Sequence, residues 1–154
     1  MTFIKIKTIL AVLVLMLFTA NTALAYVPIR VSIKFILNAG SRPTTGRLNT
    51  DDEINTELNE AIAILRENMS EFTLENIEGG VVDLTGLSQY YIYNATVANR
   101  DSIRDAAIAN PAAFLWRDDA INIYINGGTG SAISDFPPSN NMILMNQGCT
   151  NTPS

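Results

Sequence analysis

The side chains that carry covalent and metal chemistry are scarce in this sequence. Its 154 residues contain no histidine and one cysteine, Cys149. Without histidine a Ser–His or Cys–His pair cannot form, which removes the usual activation of a hydroxyl or thiol nucleophile. No basic residue stands near Cys149 in sequence to lower its pKa. Carboxylates are plentiful, fifteen in all, so a carboxylate-pair hydrolase stays formally open, but no spacing singles out a pair. Thr50-Asp51-Asp52-Glu53 could be taken for a metal site. It lacks the Asp/Gly pattern of a calcium loop and reads better as a capping box, in which the Thr50 hydroxyl and the Glu53 carboxylate satisfy each other's backbone N–H. Gly127-Gly128-Thr129-Gly130-Ser131 is loop chemistry; no Gly-Lys-Ser/Thr ending opens a helix, so it is not a phosphate loop. Asn68-Met69-Ser70 and Asn94-Ala95-Thr96 match the glycosylation acceptor pattern, which is short enough to arise often by chance.

Any chemistry must be positioned by the surrounding elements. Val27–Asn38 places Val27, Ile29, Val31, Ile33, Phe35 and Leu37 on one face. Pro28, Arg30, Ser32, Lys34 and Asn38 fall on the other, with Ile36 the exception. That period of two predicts a half-buried strand. Ala39–Asn49 is a loop by composition. The capping box opens a helix expected to run to about Met69, with an apolar stripe of Ile54, Leu58, Ala61, Ile62, Leu65 and Met69. Phe72–Glu78 is a strand closed by Gly79-Gly80, and Val81–Leu84 is short and apolar. Leu87–Asn94, with Tyr90, Tyr91 and Tyr93, has strand propensity, one tyrosine face packed and one wet. Asp101–Ala109 is a second helix closed by Pro111, followed by an apolar half-turn over Ala112–Trp116. Ala120–Asn126 alternates again, with Ile121, Ile123 and Ile125 opposite Asn122, Tyr124 and Asn126. A short edge strand over Ser131–Phe136 and a last strand over Met142–Met145 complete the chain. The fold class expected is therefore α/β (α+β), strands with two helices.

The first 25 residues stand apart. Lys5 and Lys7, the apolar run Ile9–Phe18 and the small-residue site Ala23-Leu24-Ala25 have the layout of a secretory signal peptide. Cleavage is expected between Ala25 and Tyr26, leaving one domain over 26–154; the alternative is an uncleaved N-terminal anchor. The ten basic residues become eight when Lys5 and Lys7 leave, against fifteen acidic ones, a net charge of −7. That balance argues against nucleic acid, whose binding needs Lys and Arg to displace counterions, and against an anionic membrane surface. In an exported chain the odd Cys149 leaves two readings, a partner cysteine beyond Ser154 or a free thiol.

One order of features carries a resemblance. An exported chain opens with Val27-Pro28-Ile29-Arg30-Val31 and continues through a helix over Asp51–Met69. Then come Ile121-Asn122-Ile123-Tyr124-Ile125, a Gly-rich loop, Ser134-Asp135-Phe136-Pro137, and Met142-Ile143-Leu144-Met145. This succession spans the mature chain and resembles the N-terminal subdomain of secreted pappalysin-like metzincin metallopeptidases. The resemblance implies that the sheet is twisted, mixed and mostly parallel, with a cleft-lining edge strand at Ser131, Ala132, Ile133, Ser134 and Asp135. It also implies peptide-bond hydrolysis by zinc in a longer product, where an H-E-x-x-H-x-x-G-x-x-H helix follows. These 154 residues hold none of the three histidine ligands. The expectation is therefore an N-terminal portion inactive as it stands. No cofactor is expected in it, zinc and a peptide or protein substrate belonging to the longer product, and its place is extracellular or periplasmic. The alternative is a complete exported binding domain on the same scaffold.

Overall fold

The computed structural model describes residues 26–44, 49–68, 71–134, 141–147 and 149. The expected signal segment, with Ala25 of its expected cleavage site, and Asp135 lie outside these. The elements are β1 (Val27–Ile36), α1 (Asp51–Asn68), β2 (Phe72–Asn76), β3 (Val82–Leu84), α2 (Val97–Ala109), α3 (Pro111–Phe114), β4 (Ile121–Asn126), β5 (Ala132–Ser134) and β6 (Met142–Asn146). A single 3-10 turn, Ser88–Tyr90, precedes α2.

The strands form one sheet in the order β2-β1-β4-β6-β5, with β3 pairing β1 beyond the end of β2. Every pairing is parallel except β5 with β6. The register sets Ile33 beside Ile123 and Ile123 beside Ile143, and sets Phe35 beside Ile125 and Ile125 beside Met145. Side chains in register, and those two residues apart on a strand, share a face, so both apolar rows lie on the same face of the sheet. Val31, Ile33, Phe35, Leu37 and Ile125 meet Ile54 of α1 on one face. Ile36, Tyr124, Met142 and Leu144 meet Ile103 and Ala107 of α2 and Phe114 of α3 on the other. The α/β class with a mostly parallel sheet, the sheet type being what the resemblance implied, is what the chain adopts.

Three expectations are corrected. First, β1 is not half-buried along its length: Ser32 and Lys34 are fully buried, as are Asn122 and Asn126 on β4. Crossover connections put cover on both faces of a parallel sheet, so the polar side of the alternation is enclosed too. Second, Leu87–Asn94 is no strand. Tyr90 stands edge-on to Tyr93 at 5.3 Å and to Phe114 at 5.5 Å, and the tyrosines pack onto the α2-side core. Side-chain packing overrides the run's β propensity here. Third, α2 begins at Val97 rather than Asp101. The Thr96 hydroxyl caps it by accepting from the Asn99 N–H at 3.3 Å. Pro111 opens α3 at the position where its missing N–H is harmless.

The capping box forms as expected. Glu53 N–H donates to Thr50 Oγ1 at 3.2 Å, and Glu53 Oε2 accepts from Thr50 N–H at 3.1 Å. Beyond Ile54, α1 offers only half-buried apolar side chains to the sheet, among them Leu58, Ala61 and Leu65.

Candidate functional site

The segment expected to act on a substrate sits at the rim of the sheet. β5 pairs antiparallel with β6, Ala132 opposite Met145, Ile133 opposite Leu144 and Ser134 opposite Ile143. The Ser131 carbonyl extends the ladder by accepting from Asn146 N–H at 2.9 Å. Among the described residues no strand pairs with the outer side of β5. Ser131, Ala132 and Ser134 are exposed, while Ile133 turns inward against the α2-side core. The strand thus offers a row of backbone donors and acceptors anchored by one apolar side chain.

Inside this rim, on the α1 face, the described residues cover the sheet incompletely. α1 lies toward β2, and an open apolar groove of about 200 Å³ runs beside it. Ile33, Leu58, Ala61, Ile123 and Met145 are among its lining residues. Ile121, Ile123, Ile143 and Met145 are only half-buried although all four sit on strands. Cys149 lies against this same cluster after the turn in which its N–H donates to Asn146 O at 2.9 Å. Burial pushes its thiol up, partly offset by the hydrogen bond from Asn146. It is therefore poorly suited to nucleophilic attack near neutral pH.

Two polar groups escaped the sequence reading: alternation set Ser32, Lys34, Asn122 and Asn126 opposite the apolar rows, and their partners lie far away in sequence. The first lies where β4 and β6 end. Asn126 Nδ2 donates to Tyr90 O at 2.8 Å and Tyr93 O at 2.9 Å. Asn146 Nδ2 donates to Tyr93 O at 3.0 Å and to Asn126 Oδ1. Asn126 Oδ1 also accepts from Gly128 N–H, and Asn146 Oδ1 accepts from Ala95 N–H. Together they fasten the tyrosine turn to the Gly-rich loop. The second is a circuit around Lys34. Its Nζ donates to Asn122 Oδ1 at 2.7 Å and lies 4.8 Å from the Tyr124 ring centroid. Asn122 Oδ1 also accepts from Arg117 N–H at 3.0 Å. The Arg117 guanidinium donates twice to Glu78, at 2.8 and 3.0 Å, and Ser32 Oγ donates to Glu78 Oε1 at 2.7 Å. Burial lowers the Lys34 amine to about 7, with Glu78 opposing and Arg117 assisting. The Arg117 hydrogen bonds hold the Glu78 carboxyl below its usual range, against the opposing effect of burial. A covered parallel sheet was the one available signal that these positions would be enclosed.

Among the described residues no three His, Cys, Asp or Glu side chains converge as metal ligands, and no helix is long and apolar enough to cross a membrane. Comparison with protein-family models, with curated proteins and with solved structures gives no match to this chain.

Proposed function

We propose that this chain is the N-terminal portion of a secreted, pappalysin-like zinc metallopeptidase, and that it supplies the substrate-holding scaffold rather than the catalyst. The observation that supports this most is that an antiparallel edge, β5, stands beside an apolar strip on β6 and β4, neither of them covered by any described residue. An extended peptide can add to such an edge through main-chain hydrogen bonds. The strip is suited to the apolar face of a further helix, which the family places directly after the last strand.

The donor set of these residues does not fit a zinc ion. There is no histidine, the one thiol is raised rather than lowered in pKa, and the described carboxylates do not cluster. The hydrolytic step therefore belongs to residues outside this sequence, and the chain as given is inactive. Its own part is to bind and orient an extended peptide along Ser131–Asp135.

The test is to read the coding sequence past the codon for Ser154. An in-frame H-E-x-x-H-x-x-G-x-x-H supports the peptidase reading, and chelator-sensitive gelatin hydrolysis by the longer product completes it. A stop codon at that point removes it. The second reading then takes its place, a non-catalytic exported domain that binds extended peptides at the same β5 edge.

A further inference from the structure

Lys34 is enclosed at the centre of the sheet with a charge balance that cannot suit both of its protonation states. Its neighbours come from four places: Ser32 on its own strand, Asn122 and Tyr124 on β4, Glu78 in the β2–β3 turn, and Arg117 in the α3–β4 connection. Its partner on β3, Val82, is apolar. The charged and titratable groups facing it are thus Glu78, Arg117 and Tyr124. The Glu78 carboxylate is already engaged by both Arg117 donors and by Ser32. The Tyr124 hydroxyl is committed to Phe114 O at 2.9 Å and, buried, is pushed further from ionising. An uncharged amine needs only the Asn122 contact. A protonated one sets two cations, Lys34 and Arg117, against the one Glu78 carboxylate.

We propose that the Arg117–Glu78 pair is an acid-sensitive clasp: protonation of Lys34 in mildly acidic surroundings parts it, admitting water and loosening the β2–β3 turn together with the α3–β4 connection. The route follows from exposure. Ser32, Asn122 and Tyr124 are fully buried, whereas the Arg117 side chain is 45% exposed and that of Glu78 10%. Hydration of the amine is least obstructed between these two. The response belongs to Lys34 because the chain has no histidine; apart from a terminal amine, no ordinary group titrates between pH 5 and 8. The lowered Lys34 value places the transition near neutrality.

Linkage gives the size. With the amine near 7 when enclosed and near its usual 10.5 when hydrated, the open fraction rises about tenfold from pH 8 to 6 and levels off below 6. The experiment is amide hydrogen exchange on the purified protein at pH 8, 7, 6 and 5, corrected for intrinsic rates. The amides of Ile77, Gly79 and Arg117 should show this rise, and those within α2 should not. In Lys34→Met the rise should vanish while protection persists. In Arg117→Gln the same amides should exchange faster already at pH 8. A flat wild-type profile overturns the proposal. So does a Lys34→Met profile that keeps the tenfold rise, or a rise spread equally over α2.

Discussion

The side chains of Asn126 and Asn146 hydrogen-bond to each other across the ends of two neighbouring parallel strands, and between them they hold the carbonyls of Tyr90 and Tyr93. Both asparagines are fully buried. This pair converts a tyrosine-rich segment that cannot join the sheet into a lid over its end. Asn126→Ala should leave the Tyr90 carbonyl and the Gly128 N–H without these partners, at a cost of roughly 2–3 kcal/mol. Urea melts should register this as a lower midpoint with little change in slope. Asn94→Ala, which removes exposed contacts to Thr129 instead, should cost less than about 1 kcal/mol.

Two glycines in the neighbouring loop allow that lid to close. A Cβ on Gly128 would meet the Tyr93 carbonyl oxygen at 2.2 Å, and one on Gly127 would meet the Tyr91 ring at 2.2 Å. Backbone yields less readily than a half-buried ring. Gly128→Ala should therefore be the more damaging change, by roughly 1–3 kcal/mol of overpacking. Comparing the thermal midpoints of the two variants checks the order.

Lys34 fixes the sign of the pH response. Its enclosed value is below the unfolded one, so between about 7 and 10.5 the unfolded chain holds the extra proton. Stability should rise with pH through that window, by at most about 1.4 kcal/mol per unit. The penalty is fully present below pH 7. Lys34→Met should flatten the profile and raise the melting temperature at pH 6, as calorimetry across pH 6–9 would reveal.

The capping box gives a cleaner surface test. Thr50→Ala should cost about 1 kcal/mol and Thr50→Ser much less. In a double-mutant cycle with Glu53→Ala the two losses should fall short of additivity, because each group is the other's partner.

The half-buried row of Ile121, Ile123, Ile143 and Met145 should bind a hydrophobic dye. Ile143→Thr keeps a β-branched side chain on β6 and should reduce dye fluorescence while the protein still melts cooperatively. Unchanged fluorescence would locate the apolar surface elsewhere.

Much of this architecture was legible because the relevant signals are local. Thr50 and Glu53 announce a helix start by themselves, and the alternation of β1 and β4 fixes their existence and the grouping of their faces. A short edge strand is expected over Ser131–Phe136, and its place along the cleft is what the resemblance implies. What the sequence concealed depends on distant partners. Nothing within Leu87–Asn94 says that its carbonyls will be taken by asparagines on β4 and β6. Nothing beside Lys34 says that Glu78 and Arg117 will close over it. Asn122, Lys34 and Ser32 look like a solvated face until the second helical layer is in place.

The parallel pairing at the centre of the sheet also bears on how the chain reaches its fold. Val31 lies beside Ile121, with α1, β2, β3, α2 and α3 between them in the chain. β1 is made well before its inner neighbour β4, and among the described strands β2 and β3 come between them in the chain and can pair with β1 meanwhile. Such a topology closes its largest loop late and folds slowly compared with a chain of local contacts. The β4-facing edge of β1 thus stays open, and vulnerable to pairing with another chain, until α2, α3 and β4 have followed it.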